Sequence, residues 1–250
     1  MHALRAVRQF ARLQAGSAKV ALSRPGMGPN PTPPDRACRD HQRVPPPVGR
    51  LKILWVFNMN SSIILIGPLG AGKSTVGHLL AKKLGLQQCS LDDVRWKYYE
   101  EIGYDKDLAS KIAKSNQGVQ GQLRYSKPFE VHSIERVLSD HRDHIIDFGA
   151  SNSVYDDELL FSHVQNALIP YPNVILLLPS PDPAESVKIL NARLTQIVNA
   201  KGEEINNELF DLNEYFIRHP SNFRLAKIVI YTKDKTPEEI CNEIFQKLVH

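Results

Sequence analysis

The stretch from Gly67 to Thr75 constrains this chain more than any other feature of its sequence. Its first eight residues have the spacing Gly-x-x-x-x-Gly-Lys-Ser, which is typical of loops that bind phosphate groups. An apolar run, Ile63 to Ile66, precedes it, and apolar residues at helical spacing follow it from Lys73 to Leu84. Small residues between a strand and a helix let successive backbone amides turn inward around phosphate oxygens. The pattern predicts a buried strand, a phosphate-binding loop and a helix, in this order.

A loop of this kind predicts binding of a nucleoside triphosphate together with Mg²⁺, so ATP and Mg²⁺ are the expected cofactors. We expect the Lys73 ammonium to reach the β and γ phosphates and the Ser74 hydroxyl to coordinate Mg²⁺. The sequence contains no Asn-Lys-x-Asp motif of the kind that reads guanine. The predicted nucleotide-binding residues are Gly67, Pro68, Leu69, Gly70, Ala71, Gly72, Lys73, Ser74 and Thr75.

Charge divides the chain into two parts. Before Met59 there are ten lysines and arginines against two acidic residues, and from Met59 onward there are 21 against 25. The net charge is therefore +8 for the first part and −4 for the second. Because nucleic-acid binding requires a clustered basic surface that displaces counterions, we expect no nucleic-acid partner for the second part.

Residues 1–58 are expected to form a disordered Arg- and Pro-rich leader ahead of a single phosphate-binding domain at 59–250. Eight of the seventeen prolines precede Val48, and proline interrupts helices because it lacks an amide donor. The first sixteen residues contain no acids and carry an apolar side chain at every third position from Leu4 to Leu13, which is compatible with a targeting helix for a mitochondrion or plastid. The alternative is an over-extended reading frame whose true start is Met59, which favours a cytoplasmic protein.

From Met59 onward, short apolar runs alternate with helix-like segments, as in a parallel sheet with crossover helices. A last helix is expected to begin at Pro237, with Thr236 and Glu239 forming a capping box. The sequence predicts a three-layer α/β/α fold with a central parallel sheet of about five strands. The expected strands are Ile63–Ile66, Gln88–Leu91, His144–Phe148, Asn173–Leu178 and Ile228–Thr232.

The sequence also argues against several other kinds of protein. Its longest apolar runs fall far short of the ~20 residues that span a bilayer, so no membrane partner is expected. Cys38, Cys89 and Cys241 form no C-x-x-C pair, which argues against a structural zinc site and against a disulfide framework.

The loop together with Ser90-Leu91-Asp92-Asp93 resembles the beginning of a shikimate kinase, and the likeness spans most of residues 61–248. In that family an Asp-x-Asp segment after the second strand holds metal-bound water with its first Asp and the acceptor hydroxyls with its second. Here the first place is Ser90 and the second is Asp92. The resemblance implies a P-loop NTPase fold with a helical lid and makes Asp92 the candidate base, with Asp93 as its substitute. The alternative is that these acids only cap the helix that begins near Val94.

The family binds its acidic substrate through arginines at two places. The place near the C-terminus matches Arg218-His219-Pro220, so the resemblance implies that the Arg218 guanidinium binds the acceptor. The other place, before Phe129-Glu130, is occupied by Lys127, which keeps the charge but loses the bidentate fork. The partner of Lys127 is therefore expected to be a differently shaped anion. Either side chain is alternatively a surface charge without a ligand.

The predicted third strand ends in Asp147-Phe148-Gly149, where shikimate kinases carry three glycines whose backbone approaches the substrate. Gly149 is the glycine that remains, and it is expected to contact the acceptor. Asp147 resembles a Walker B carboxylate that holds Mg²⁺ and compensates for Ser90; the alternative is a buried Asp whose oxygens accept from backbone amides. Further polar groups for a ligand are offered by Ser151, Asn152 and Ser153.

The resemblance also implies a mobile lid over the nucleotide after the strand Asn173–Leu178. Arg193 lies at the comparable point of the sequence and is expected to offset charge on the transferred phosphoryl group. The alternative for Arg193 is an ordinary solvated helix residue. The polar segment from Asn199 to Asn213 is longer than that lid requires.

The sequence thus predicts an ATP-dependent kinase that transfers the γ-phosphoryl group to a hydroxyl of a small polar, anionic metabolite. The residues expected to take part in catalysis are Lys73, Asp92 and Arg193. The alternatives are a nucleotide kinase and a non-catalytic nucleotide-binding regulatory protein. We expect a monomer or homodimer whose partner is a small-molecule hydroxyl acceptor.

Overall fold

Five short strands form one parallel sheet in the computed structural model, which describes residues 62–200, 202 and 207–249. The predicted leader, 1–58, lies outside the described residues, as does Met59. The strands lie side by side in the order β2-β3-β1-β4-β5, and every pairing is parallel. In chain order the strands are β1 Ile63–Ile66, β2 Gln87–Ser90, β3 His144–Asp147, β4 Asn173–Leu178 and β5 Ile228–Tyr231.

Helices connect the strands and cover both faces of the sheet. Because parallel neighbours begin at the same edge, each connection has to cross the sheet, and a helix is the usual way to do so. The helices of the described residues are α1 Lys73–Leu84, α2 Leu91–Glu101, α3 Lys106–Lys114, α4 Gly118–Asp140, α5 Glu158–Leu168, α6 Pro183–Ala200, α7 Asn207–Arg218, α8 Ser221–Leu225 and α9 Pro237–Val249. A short 3₁₀ turn, Ala150–Ser153, follows β3.

The central strand β1 divides the core into two layers because successive side chains point to opposite faces. Ile63 and Leu65 pack in one layer, which α1 and α9 cover. Ile64 and Ile66 pack in the other layer, which includes side chains of α4 and α5. All four β1 side chains are fully buried, as expected for a strand with helices on both faces. The predicted three-layer architecture is therefore confirmed.

A third, smaller apolar cluster lies over the loop that follows β1. Leu69 of this loop is buried against side chains of α6 and α7, so these helices are held close to the loop. The cluster contains Leu69, Leu123, Ala150, Val154, Leu194, Val198, Leu209, Leu212 and Phe216.

The start of the last helix follows its predicted capping box. The backbone amide of Thr236 donates to Glu239 Oε2 at 2.7 Å, and the amide of Glu239 donates to Thr236 Oγ1 at 3.2 Å. These reciprocal bonds satisfy two amides that the helix itself leaves unpaired. None of the helices in the described ranges is long and apolar enough to cross a membrane.

Candidate active site

The carboxyl ends of β1, β2 and β3 meet at one edge of the sheet, where open parallel sheets bind ligands. The phosphate-binding loop leaves the end of β1, and α2 begins directly after β2. Ser90 and Asp147 are paired residues at the ends of β2 and β3. The topology therefore brings together groups that are more than fifty residues apart in sequence.

Three glycines give the loop a backbone path that other residues rarely adopt. Gly67, Gly70 and Gly72 have φ values of +140°, +75° and +91°. A Cβ on Gly67 would also lie 2.6 Å from the carbonyl oxygen of Leu177, which is too close for any side chain. A Cβ on Gly72 would meet no described heavy atom within 4 Å, so the turn is open at that point. The loop has the form of a cradle for an anion.

Lys73, the first residue of α1, folds over this loop. Its Nζ donates to the carbonyl oxygens of Gly67 at 2.7 Å and Pro68 at 2.9 Å. Burial lowers the pKa of Lys73 to about 8, although the carboxylates of Asp92 and Asp147 act in the opposite direction. The ammonium group is therefore at the loop, as the motif predicts. Thr75, also predicted to bind nucleotide, is exposed in the first turn of the helix.

Asp147 is the centre of a hydrogen-bond network at the end of β3 and is 3% exposed. Its Oδ1 accepts from Ser74 Oγ at 2.9 Å and from Ser90 Oγ at 3.1 Å. Its Oδ2 accepts from Gln88 Nε2 at 2.8 Å. The side-chain partners differ from the backbone amides that a merely buried Asp was expected to use. A hydroxyl and a carboxylate side by side are the hard oxygen donors that Mg²⁺ prefers, so Ser74 and Asp147 fit the predicted metal site.

Sequence reasoning missed Gln88, which orients Asp147. Besides its bond to Asp147, Gln88 Nε2 donates to the carbonyl oxygen of Ser74 at 3.1 Å. A Cβ on Gly77 of α1 would lie 2.8 Å from the same nitrogen, so the glycine makes room for the amide. The one signal in the sequence is a polar side chain within a predicted strand, and this signal does not identify its partner.

Asp92 lies in the first turn of α2, and its side chain is 11% exposed. Its Oδ1 accepts from Arg95 Nη1 at 3.2 Å. Burial raises the pKa of Asp92 to about 6, although the charges of Arg95 and Lys73 oppose this change. A carboxylate with a pKa near the working pH is well suited to accept a proton. Asp93, its alternative, is exposed on the same helix.

Gly149 lies directly beside Asp92. A Cβ on Gly149 would be 2.5 Å from Asp92 Oδ1 and 2.5 Å from Asn152 Oδ1, so a side chain here would displace these two polar groups. Its φ of −59° is an ordinary value, so the backbone conformation does not require a glycine here. The structure places this predicted acceptor-site residue against the predicted base.

Lys127 extends from α4 towards the turn that follows Gly149. Its Nζ donates to Glu130 Oε2 and to the carbonyl oxygen of Ser151, both at 2.7 Å, and lies 4.7 Å from the ring centroid of Tyr155. Ser151 Oγ donates to Glu130 Oε1 at 2.7 Å. With 15% of its side chain exposed, Lys127 is not a surface charge.

Arg193 lies on α6 beside the phosphate-binding loop. Its Nη1 donates to the carbonyl oxygen of Gly70 at 3.4 Å, and burial lowers its pKa. The structure therefore brings a second cation to the loop besides Lys73. Much of the polar segment expected to form the lid, from Asn199 to Asn213, falls in the end of α6 and the start of α7.

Arg218 is the last residue of α7. Its side chain is 49% exposed, and its Nε donates to Glu214 Oε1 at 2.6 Å. The neighbouring His219 has Nε2 at 3.1 Å from Asp156 Oδ1, in the loop that follows the Ala150–Ser153 turn. Binding of the acceptor by Arg218 stays a prediction.

A second residue that sequence reasoning missed is Asn213 of α7, which is fully buried. Its Oδ1 accepts from the backbone amide of Leu69 at 3.0 Å, and its Nδ2 donates to the carbonyl oxygen of the same residue at 3.4 Å. The tip of the phosphate-binding loop is thus fastened to a helix 144 residues further along the chain. The sequence offers no signal for this contact, because Asn213 falls in a segment that reads as solvated.

Two curated shikimate kinases are similar to this chain along nearly their whole length. The shikimate kinase of Persephonella marina is 26% identical over 191 residues, which cover 75% of this chain and 98% of that protein. The shikimate kinase of Enterococcus faecalis is 29% identical over 192 residues, with the same coverage of 75% and 98%. The chain is similar in sequence to shikimate kinases.

The fold agrees with the sequence similarity. The solved structure of shikimate kinase from Acinetobacter baumannii in complex with shikimate superimposes with a TM-score of 0.51 at 20% identity, over 77% of this chain and 95% of that one. No protein-family model matches the chain. The predicted resemblance and fold class are both confirmed.

Proposed function

We propose that the protein is an ATP-dependent kinase that transfers the γ-phosphoryl group to a hydroxyl of a small polar metabolite. The observation that carries the proposal is the convergence of four groups at one edge of the sheet. Lys73 and Ser74 come from the loop and α1, Asp147 from the end of β3 and Asp92 from the start of α2. The similarity to shikimate kinases along nearly their whole length supports the same activity class.

The cations of the site are suited to bind and orient a triphosphate. Lys73 lies on the loop carbonyls and Arg193 donates to Gly70, so positive charge flanks the cradle on two sides. Fixed cations offset the negative charge that spreads over a phosphoryl group during transfer, and they act without reorganisation at that moment. In this proposal Ser74 and Asp147 hold Mg²⁺, which supplies further charge neutralisation at the phosphates when it is bound.

Asp92 is suited to act on the acceptor. It is the carboxylate nearest to Gly149, and its pKa of about 6 leaves it ionised at neutral pH and able to accept a proton. General base catalysis of this kind contributes typically ~10²- to 10⁴-fold to the rate. The Lys127 ammonium group is bound to Glu130 and to the carbonyl oxygen of Ser151, in the turn that follows Gly149. That the acceptor is an anion, held by Lys127 and Arg218, is part of the proposal.

An ADP-release assay with Mg²⁺ and ATP tests the proposal over three acceptor classes: hydroxy acids, sugars, and nucleosides with their monophosphates. We expect turnover with a hydroxy acid or sugar. Asp92→Asn should lower kcat by ~10²- to 10⁴-fold and leave the affinity for ATP unchanged. As a control on the same helix, Glu100→Gln changes an exposed carboxylate that is paired with Lys106, and it should leave kcat unchanged.

The assay also separates the two competing functions. Turnover on nucleoside monophosphates alone would identify a nucleotide kinase. Magnesium-dependent binding of ATP without turnover on any acceptor would favour a regulatory protein. No magnesium-dependent binding of ATP, with no effect of Lys73→Ala, would contradict the assignment of the site itself.

A further inference from the structure

Helix α2 carries an arginine at a position where its pattern calls for an apolar residue. The buried residues of this helix are Leu91, Arg95, Tyr98 and Tyr99, which recur at the spacing of one helical face. Arg95 is 7% exposed, and the other arginines of the described residues are all more exposed. A charged side chain is rarely buried unless it is paired, because its removal from water is unfavourable. The burial of Arg95 therefore has to be explained through its partner.

The partner of Arg95 is Asp92, which lies three residues earlier on the same face of the helix. Arg95 Nη1 donates to Asp92 Oδ1 at 3.2 Å, and the two side chains are 8% and 11% exposed. Within the part of the chain that the structure describes, no other side chain donates to this carboxylate, so Oδ2 is left for an acceptor. Replacing a buried ion pair by apolar residues is often neutral or stabilising, so stability alone does not account for this pair.

Aromatic rings hold the Arg95 guanidinium in place. Its Cζ lies 4.8 Å from the ring centroid of Trp96, and Lys106 Nζ of α3 lies 5.3 Å from the same centroid. The Trp96 ring packs against Tyr99 and Tyr104, with centroids 5.5 and 5.8 Å apart. Because a guanidinium stacks favourably on aromatic faces, this packing restricts the orientations that Arg95 can adopt.

Other charged groups also act on Asp92. Burial has the largest effect and raises the pKa of this carboxyl to about 6. Asp147 of β3 and Glu130 of α4 act in the same direction, whereas Arg95 opposes burial more strongly than Lys73 of α1 does. Lys73 Nζ is bonded to loop carbonyls and is expected to bind phosphates, so it is shared with another partner. Arg95 is thus the main cation that acts on Asp92.

We infer that Arg95 is a positioning residue for the reaction, because its guanidinium holds Oδ1 of Asp92 and leaves Oδ2 to accept from the acceptor hydroxyl. The inference rests on the proposed function of this site. A base that is already oriented does not have to be reoriented when the proton is transferred. The positive charge of Arg95 also keeps the buried carboxylate ionised at neutral pH. Arg95 therefore acts through Asp92.

The test removes the charge of Arg95 and follows the pH dependence of turnover. Arg95→Met is the main variant, Arg95→Gln is a second neutral variant in case methionine prevents folding, and Arg95→Lys keeps the charge. Lys97→Met is the matched control, since it removes a cation from the same helix whose side chain is 68% exposed and 3.9 Å from Asp140. The ADP-release assay is run from pH 5 to pH 9 with shikimate, gluconate or glucose as acceptor, and urea unfolding shows which variants fold.

In the neutral Arg95 variants, the acid limb of kcat/KM for the acceptor should move up by about one pH unit or more. The reason is that a carboxyl without its neighbouring opposite charge is harder to ionise. At pH 7 the value of kcat should fall at least about tenfold, with the KM for ATP unchanged. Arg95→Lys should keep the acid limb close to that of the wild type, and Lys97→Met should not move it.

Two double variants separate a positioning role from a structural one. In Asp92→Asn, adding Arg95→Met should lower kcat by less than about twofold, because Arg95 acts through Asp92. In urea at pH 7.5, Asp92→Asn should stabilise the Arg95→Met protein more than it stabilises the wild type. We expect this difference to be about tenfold or more in the unfolding equilibrium constant, and it can be measured without turnover.

Several results would overturn the inference. An acid limb that stays in place in the neutral Arg95 variants, or that moves as far in Lys97→Met, would refute the role of the Arg95 charge. If Arg95→Met lowers kcat as strongly in Asp92→Asn as in the wild type, the arginine is structural. Both results leave the kinase proposal intact. If the wild type turns over no acceptor, the kinase proposal fails, and coupling in urea alone would then identify a structural ion pair and refute this inference too.

Discussion

Replacing Asp92 by asparagine should make the protein more stable while it removes catalysis. Burial raises the pKa of this carboxyl from 3.8 to about 6 in the folded protein, even with Arg95 and Lys73 nearby. A tenfold change in proton affinity corresponds to ~1.4 kcal/mol, so at neutral pH the ionised side chain lowers the free energy of unfolding by about 3 kcal/mol. Asparagine has nearly the same shape and carries no charge, so the variant should regain most of this energy.

Because the pKa of Asp92 is raised in the folded protein, its destabilising effect depends on pH. Because the folded protein binds this proton more tightly than the unfolded chain, the destabilisation is absent below about pH 4 and complete above about pH 7. Urea unfolding at pH 7.5 and at pH 5 measures it directly. We expect the free energy of unfolding of Asp92→Asn to exceed that of the wild type by about 3 kcal/mol at pH 7.5 and by about half that at pH 5. In a thermal scan, the gain at neutral pH corresponds to roughly 6–12 °C.

Asp93→Asn is the matched control, because it makes the same chemical change in the same turn of α2 on an exposed side chain. An exposed acid in the first turn of a helix is mildly stabilising, so this variant should be slightly less stable than the wild type. If Asp92→Asn is no more stable than the wild type at pH 7.5, or if its gain is the same at pH 5, the carboxyl is not strained by burial. The assignment of a raised pKa to Asp92 would then be wrong.

Further predictions concern catalysis and the residues that hold the loop. The value of kcat/KM should fall as the pH drops below about 6, because Asp92 must be ionised to accept a proton; a flat profile down to pH 5 would contradict this. Asn213→Leu leaves the buried amide of Leu69 without its acceptor, so urea unfolding should show a free energy of unfolding about 1–3 kcal/mol lower than that of the wild type. Unchanged stability would refute the role of this bond. Gln88→Leu removes a side-chain donor to Asp147, so titration should show that a roughly tenfold higher Mg²⁺ concentration is needed to support ATP binding. An unchanged titration would show that Asp147 does not need this donor.

Local patterns in the sequence were sufficient for most of the fold. The run Ile63–Ile66 is buried on both faces because each of its side chains is apolar, and β1 has the predicted bounds. The helix Lys73–Leu84 also has its predicted bounds, since it begins where the glycine-rich loop ends and stops at Gly85 in a left-handed conformation. The strand β4 also has its predicted bounds, whereas β2, β3 and β5 differ from the prediction by one residue, because pairing with the neighbouring strand decides where a strand stops.

The candidate site likewise contains residues that a local motif identifies and contacts that only the fold reveals. Lys73 and Ser74 were found from a motif whose chemistry lies within eight consecutive residues. Asp147 was identified as a metal-site candidate, but its bonds to Ser90 and Gln88 depend on strands that are far apart in sequence and adjacent in space. The experiments above test the role of Asp92, and the roles of Lys127, Arg193 and Arg218 stay predictions.

The sequence by itself determined that a strand, a glycine-rich turn and a helix form a phosphate cradle, because each of these depends on the periodicity and backbone freedom of neighbouring residues. Only the tertiary structure decided that Asn213 fastens the loop and that Gln88 orients Asp147. The physical reason is that a hydrogen bond or a buried charge depends on which distant groups the sheet order brings within about 3 Å, and no local pattern contains that information.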